Sequence, residues 1–531
     1  MTRQKIVDLI QKSIKGLQKE RVSPEFDIPE IQLEYPEEKT HGDYATNVAM
    51  MITKKVKKNP LEIAKIINNQ LLITNKKLKL FEKIEVAKPG FINFFLSKGY
   101  LQKELGEVLK QGEKFGTLKI GKNKKIQVEF ISANPTGPLT VGNARGGPFG
   151  DVLSNVLKKA GFEVEKAYYI NDYGMQILAL GHSVLKDSQA KYKGDYIDYL
   201  NKKIKEKEPY KAGEKAAKII IEEMIKKTTD RMGIKYDEWF SENSLHKSSQ
   251  VGKVLEFLKK KGLIYEKEGA KWFKSTKYGD ERDRVVIKVD GWKTYLAGDI
   301  AYHKYKFEKK KFDKVINVWG ADHHGDIASL QGAVEALGHK GKLDIILLQF
   351  VTIFEKGKEK KMSKRRGAYT AMDELLEEVG SDVTRFLFLQ KSADTHLNFN
   401  LSLAKEQSEK NPVYYVQYAH TRICSILGKA KSFKLQVSNY KLLTHSSELE
   451  LMKQLIRFPE IIADISKDYQ VQRLPQYALD LAAVFHQFYR DCRVISDNKN
   501  LTQARLSLIL ATKMVFKNIL NLMGVSAPER M

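Results

Sequence analysis

Two segments carry the residue types from which phosphate chemistry is built. EFISANPTGPLTVGNARGG (129–147) places Gly137 and Gly142 where an apolar strand hands over to a helix. Glycine there admits a ligand to the backbone, and the free N–H groups and positive dipole end of the following helix favour phosphate. Far downstream, EKGKEKKMSKRRGAYT (355–370) concentrates Lys and Arg between Gly357 and Gly367. A cationic loop of this kind can close on a triphosphate and stabilise the charge that builds on a departing pyrophosphate. Lys361 and Lys364 would be its donors, with Ser363 bonding inside the loop. Each segment alone has an ordinary reading, a tight strand–helix turn or a solvated basic face. The pair together favours a nucleotide site.

The elements that must hold these segments follow from periodicity. Ile126, Val128 and Phe130 form an apolar strand that ends in Asn-Pro and Gly, and a helix-compatible stretch runs from Asn143 through Leu157. VEKAYYIND leading into YGMQILALGHSVL, and KVINVWGADHHG leading into DIASLQGAVEALG, repeat the alternation. Strands alternating with helices predict an α/β, doubly wound parallel sheet whose carboxyl ends face the ligand crevice. The Lys-rich stretch 185–260 reads as a helical insertion or outer layer. Before this region, residues 1–115 combine an amphipathic helix (Ile6, Leu9, Ile10, Ile14, Leu17) with the strand-like VAKPGFINFFL at 86–96, an α+β N-terminal domain. After it, 401–531 holds four amphipathic helical stretches, an all-α bundle. The predicted division is 1–115, 116–400 and 401–531.

Composition fits several such domains. The chain has 531 residues, 42% apolar and 29% charged, and Lys plus Arg number 91 against 65 for Asp plus Glu, a formal charge of +26. That excess suits a polyanion, although a lysine-favouring host would give the same sum. Two cysteines, Cys424 and Cys492, exclude a disulfide scaffold and an all-Cys zinc site. The N-terminus has no unbroken apolar stretch, and the longest apolar run, Ile345 to Phe354, reads as a buried strand too short for a bilayer. An intracellular protein without a membrane is the expectation.

PTGPLTVGN stands at the place of the "HIGH" motif and KMSK at the second motif of class I aminoacyl-tRNA synthetases. THGDYATNVAM (40–50), KPGFINFFL (88–96), YINDYGMQI (169–177), TYLAGDIAYH (294–303), GADHHG (320–325), Asp382-Val383-Thr384-Arg385 at the "DALR" position and the terminal VSAPERM resemble the arginyl-tRNA synthetases in matching order, from about residue 30 to the end. The resemblance implies a Rossmann-type catalytic domain, a helical anticodon-binding domain and an N-terminal domain at the tRNA elbow. It implies ligation of L-arginine to tRNA(Arg) through arginyl-adenylate, with ATP carrying Mg2+, activation that needs bound tRNA, a cytoplasmic location and a monomer.

The resemblance also assigns residues. Thr140, Asn143, Lys361 and Lys364 are the catalytic set; Gly137, Pro138, Leu139, Val141, Gly142, Asp322, His323, Gly325, Met362 and Ser363 fall to ATP. Glu129, Ser132, Asn134, Asn171, Asp172, Gln176, Tyr295 and Asp299 fall to arginine. The residues agree: a guanidinium is planar and permanently charged, best held by carboxylates, and Tyr295 and Asp299 are four apart on a predicted helix face. Ordinary ion pairing with neighbouring lysines is the alternative for Glu129 and Asp299. Phe91, Asn93, Tyr414, Tyr418, Arg422, Tyr489 and Arg493 are candidates for tRNA contact, against a core role for the aromatics, and Arg422 is expected on the exposed side of its helix. No metal site is expected: two adjacent histidines in GADHHG cannot both face one ion in regular structure.

One position departs from the family pattern. Its first motif normally opens with His, and here Thr140 stands there, able to donate a hydrogen bond but not to carry charge. That leaves a non-catalytic tRNA-binding relative as the alternative, against which stand KMSK, Glu129 and Asp299. A cysteinyl enzyme would need zinc ligands that the cysteines cannot supply, and a general basic RNA scaffold would bind any RNA without regard to amino acid.

Overall fold

The computed structural model describes residues 1–360, 371–430 and 439–531. Its centre is a five-stranded sheet, all parallel, in the spatial order Leu343–Leu348, Lys314–Gly320, Lys125–Phe130, Glu163–Ile170, Glu238–Ser241. Chain order therefore reverses between Lys125–Phe130 and Lys314–Gly320. That is the switch point at which a crevice opens beyond the carboxyl ends of a doubly wound sheet. The strands read as apolar runs because helices cover both faces; Val128, Phe130, Val315 and Ile316 are all buried.

The stretch 185–260 departs from the expectation of a purely helical layer. Helices Asp195–Lys203, Pro209–Ile220 and Gln250–Lys260 are present, but Glu238–Ser241 is the edge strand of the central sheet, in register with Ala167–Ile170. Four residues flanked by lysine-rich helices offer too little periodicity to reveal a strand. The apolar run 345–354 likewise divides. Leu343–Leu348 stays in the main sheet, while Val351–Glu355 leaves it to pair with Leu397–Asn400 and Lys358–Glu359.

In the first part of the chain, the helix Thr2–Lys19 buries Ile6, Ile10, Ile14 and Leu17, and a second helix, Pro60–Leu78, starts on Asn59, whose side chain accepts the Leu61 N–H. Both belong to the apolar core that also takes in the antiparallel sheet Tyr44–Thr46, Phe91–Leu96, Phe81–Ala87. The last part contains the four expected helices, Pro412–Lys429, Ser446–Asp468, Arg473–Asp491 and Lys499–Met523. Lys499–Met523 is long and apolar enough to cross a bilayer by length and composition, yet 72% of its apolar window is buried inside the protein, the setting of a core helix.

One buried junction joins the last helix to the catalytic sheet. Arg385, 0% exposed, donates to Met523 O at 2.7 Å, to Met232 O at 2.8 Å and to Asp151. Asp151 also receives Lys166 Nζ at 2.5 Å, and Asn155 donates to Leu522 O. Gly524 ends the helix at φ +62, and a Cβ there would meet the Arg385 guanidinium at 2.3 Å. Only glycine fits both the left-handed turn and that approach.

Candidate active site

A cavity of about 2080 Å3 opens at the switch point. The chain enters it through a backbone outlier: Ile131 (φ +66) and Ser132 (φ +42) are consecutive left-handed residues immediately after the strand Lys125–Phe130. A β-branched residue in that region is costly, and such strain concentrates at functional sites. Here the turn brings Ser132 Oγ against Glu129 Oε1 (3.2 Å), where it also accepts the Tyr169 N–H at 3.0 Å.

Glu129 is buried and already paired. Its Oε2 lies 2.6 Å from Lys306 Nζ, and Lys306 is 0% exposed. Lys306 sits in the π-helical turn Tyr305–Lys309 at the end of the helix Tyr295–Lys304, a distortion common at functional positions. Its ammonium also reaches Asn317 Oδ1 (3.3 Å) and lies over the Tyr302 ring (4.2 Å). The Asn317 amide meets His303 Nε2 (3.1 Å), and His303 Nδ1 donates to Asp299 O (2.7 Å). Burial, and then Lys306, hold His303 well below the usual imidazole range, so this chain of donors and acceptors closes with a neutral ring.

Asp299 is different. Its carboxylate has no hydrogen bond or ion pair among the described residues, and burial, then Glu242 and Glu129, push its pKa well above the usual carboxylate range. Glu242 was not among the candidates from sequence. It opens the helix Glu242–Lys247, is 3% exposed, and is pushed up to about 8 by burial and by Asp172. Its Oε2 and the Tyr169 hydroxyl are both buried without a hydrogen-bond partner. Gly298, on the Tyr295–Lys304 helix, permits the approach, since a Cβ there would stand 2.4 Å from Glu242 Oε1. Among the described residues only Glu129 of these three is paired with an ammonium; Glu242 Oε1 meets the His246 ring, Nε2 at 3.5 Å. A second cation with several donors in one plane is what the arrangement lacks, and a guanidinium supplies it.

The other arginine candidates divide. Asn134, Asn171 and Tyr295 line the cavity with Glu129, Ser132 and Asp299. Asn171 Nδ2 donates to Asn134 Oδ1 (3.1 Å), and Tyr295 is 54% exposed at the mouth. Asp172 and Gln176 stand behind the wall. Asp172 accepts from Ser241 Oγ (2.6 Å) and Asn243 N (2.9 Å), which fixes the start of the helix that carries Glu242; Gln176 donates to Asn171 O at 2.6 Å.

On the nucleotide side, Gly137, Pro138, Thr140, Val141, Gly142, Asn143, Asp322 and His323 line the cavity, whereas Leu139 is buried beneath it and Gly325 lies outside its lining. Thr140 caps the short helix Val141–Ala144: its Oγ1 accepts the Asn143 N–H (3.2 Å) and donates to Asn143 Oδ1 (2.6 Å). Met372 N donates to Leu139 O (2.8 Å), so the stretch beyond 361–370 is tied to this motif. Lys361, Met362, Ser363 and Lys364 lie outside the described residues. Arg145 ties this motif to the loops that follow the strand Leu343–Leu348 and the helix Met372–Leu389. Its buried guanidinium donates to Gln349 O, Ser392 O and Thr395 O, and burial pushes its pKa down to about 10. Among the described residues no group of three or more His, Cys, Asp or Glu could hold a metal.

In the helical bundle, Tyr414 and Tyr418 stack at 6.3 Å, and Arg422 lies over the rings of Tyr418 (5.0 Å) and Tyr489 (4.9 Å). Arg422 is thus half-buried in an aromatic sandwich rather than fully exposed; Arg493 is exposed. In the N-terminal sheet Phe91 is half-buried. Asn93, on the same face, is 4% exposed, enclosed more than an RNA-facing residue was expected to be.

Family models match along the chain: the arginyl tRNA synthetase N terminal domain over 4–96, the class I (R) tRNA synthetase catalytic domain over 104–208 and 185–423, and the DALR anticodon binding domain over 416–531. The chain is 43% identical to the arginine–tRNA ligase of Caldanaerobacter subterraneus subsp. tengcongensis, over 100% of this chain and 99% of the relative. It is 44% identical to that of Carboxydothermus hydrogenoformans over 94% of each. A crystal structure of a putative arginyl-tRNA synthetase from Campylobacter jejuni superposes with a TM-score of 0.75 at 34% identity, covering 82% of this chain and 100% of that one. With a carboxylate pocket short of one cation beside a nucleotide crevice, and these matches over its whole length, the chain belongs to the arginyl-tRNA synthetases of class I, which join arginine to tRNA at the expense of ATP.

Proposed function

We propose that Asp299 and Glu242 are the primary partners of the substrate guanidinium and that Glu129, neutralised by Lys306, shapes the pocket and accepts a further hydrogen bond. The observation that carries this reading is the contrast in pairing: Glu129 has its cation, and Asp299 has none among the described residues. Asn134 and Asn171 stand where the α-amino and carboxylate groups would be oriented, with Ser132 fixing Glu129 and Asp172 and Gln176 positioning their neighbours.

In the first step an oxygen of the arginine carboxylate attacks the α-phosphorus of ATP. The bond to the bridging oxygen breaks, leaving arginyl-adenylate and pyrophosphate. Asn143, whose amide faces the cavity beside Thr140, and the backbone N–H groups of 141–143 would bind phosphate oxygens, and Lys361 and Lys364 would meet the charge growing on pyrophosphate. Mg2+ would ride on the ATP phosphates. Gly142, Asp322 and His323 would border the adenosine. In the second step the 2′-hydroxyl of the terminal ribose attacks the acyl carbon, loses its proton and releases AMP. No protein nucleophile is required. The bundle face of Tyr414, Tyr418, Arg422, Tyr489 and Arg493 would take anticodon bases and phosphates, and the sheet face with Phe91 and Asn93 the elbow of the tRNA. A cytoplasmic monomer that needs bound tRNA for activation completes the reading.

ATP–pyrophosphate exchange with arginine, with and without tRNA, is the test. Exchange that depends on arginine, and that Asp299→Ala abolishes, supports the reading. Absence of exchange under both conditions refutes it and leaves the non-catalytic alternative that Thr140 suggests.

A further inference from the structure

The lip of the cavity on the arginine side is built by a loop to which the site residues above assign no task. Between the helices Met175–Leu185 and Asp195–Lys203, the chain turns through Lys191, Tyr192 and Lys193. The Ser183 hydroxyl, 1% exposed, pins it from beneath by accepting the amide N–H of Lys191 at 2.9 Å and of Tyr192 at 2.8 Å. Tyr196, one turn on, donates its hydroxyl to Thr136 O at 3.0 Å, and its ring lies 3.3 Å from where a Gly137 Cβ would be. The loop is therefore fixed to the motif at 135–143 through its backbone and Tyr196, while the side chains of Lys191, Tyr192 and Lys193 remain on the cavity surface.

The two lysine side chains are unspent, while the Tyr192 hydroxyl is hydrogen-bonded to the Thr136 side chain. Both lysines are exposed and make no ion pair among the described residues, in contrast to Lys186 with Asp198, or Lys203 with Glu223. Tyr192 is half-buried, its hydroxyl beside Thr136, and it is close enough to Tyr295 across the mouth to affect that phenol's titration. The acid on the same lip, Asp195, leaves a positive excess. A half-buried aromatic ring between two exposed cations matches how proteins hold single-stranded nucleic acid. The base stacks, and the phosphates meet the charges.

We propose that Lys191, Tyr192 and Lys193 seat the single-stranded 3′ end of the tRNA as it enters the cavity, with Tyr192 stacking on a base and the two lysines on flanking phosphates. The proposal rests on the arginylation reading above and adds a place for the RNA end that the reaction must deliver.

The test is a binding cycle between two proteins and two RNAs: the wild-type chain and Tyr192→Ala, with intact tRNA and tRNA lacking its single-stranded 3′ nucleotides. Truncation of the RNA is expected to weaken wild-type binding about tenfold, the lower part of the range for a stacked base, and Tyr192→Ala binding no more than about twofold. Tyr192→Phe keeps the ring and is expected to keep the wild-type difference. Lys191→Ala/Lys193→Ala, at two exposed positions, is expected to lower the slope of log affinity against log salt by about 1.4 for two phosphate contacts on a single strand. An equal truncation cost in wild type and Tyr192→Ala overturns the proposal. So does a rise in KM for ATP or arginine with the truncation cost unchanged, which would assign the loop to the small substrates. If the wild-type chain itself does not arginylate tRNA, the functional reading falls; if it does and the cycle is flat, only this proposal falls.

Discussion

The two ends of the cavity solve different electrostatic problems. At the arginine end, ionisable groups are buried on strands and helices. Glu129 and Lys306 neutralise each other at 2.6 Å, and Asp299 and Glu242 are left in excess. At the nucleotide end the motif at 140–143 supplies a hydroxyl, an amide and backbone N–H groups, with Thr140 and Asn143 bonded to each other, opposite Asp322 and His323. One end selects by a fixed deficit of positive charge. The other offers neutral donors to a ligand that brings its own charge and its own cation. Specificity and reactivity are thereby separable.

The largest expected effect tests the deficit. Asp299→Ala should lower kcat/KM for arginine by roughly a thousandfold, as loss of one partner of a desolvated charge pair costs about 2–5 kcal/mol, while tRNA affinity stays near wild type. Normal arginine kinetics in that variant would remove Asp299 from the guanidinium site. Glu129→Ala should instead show first in stability. It strands Lys306, a loss of about 3–5 kcal/mol, read as a lower denaturation midpoint that Asp299→Ala does not share. Stability restored by the double change Glu129→Leu/Lys306→Met, without recovery of arginine use, would separate the two roles cleanly.

At the nucleotide end the effects are smaller. Thr140→His is expected to leave arginylation unchanged or raise it, because it restores a donor that can carry charge. Loss of the cap should lower stability by about 1 kcal/mol. A large fall in rate would mean that the site has been rebuilt around threonine. The smallest effect is the pH profile. Burial keeps Glu242 protonated up to about pH 8 and raises Asp299 as well, and a guanidinium binds the ionised forms, so arginine affinity should rise as pH climbs from 6 through 8. Glu242→Gln should remove part of that rise; a flat profile in the wild type would exclude the coupling.

Much of this was legible in sequence, for reasons that vary by element. Ile126, Val128 and Phe130 announce a buried strand, and four long amphipathic stretches announce a bundle, because burial imposes a period on many residues at once. Asp299 and Tyr295 were found because helix spacing and family likeness agreed. Glu242 escaped: one acid among several in a lysine-rich stretch has no pattern, and its importance comes from Gly298, fifty-six positions on, clearing space for it. The only local signal was the aromatic run EWFS before it, too short to be read as a strand. Lys306 was hidden for the same reason, one lysine among many. Asp172 was placed near the pocket by its position at a strand end, but its two oxygens serve Ser241 and Asn243. Spacing locates a side chain; it does not say which neighbour occupies it.

The junction at Arg385 has a consequence for how the chain is made. A polypeptide made from its N-terminus exposes Asp151 and Lys166 early and Arg385 later, but the Met523 carbonyl that completes the cluster arrives 138 residues after Arg385. Until then a guanidinium destined for the interior lacks one of its acceptors, and leaving such a group dry is unfavourable. The catalytic sheet can form during synthesis, yet its closure waits for the last helix. A ribosome that stalls before the helix Lys499–Met523 would thus hold the sheet with its central charge cluster unfinished.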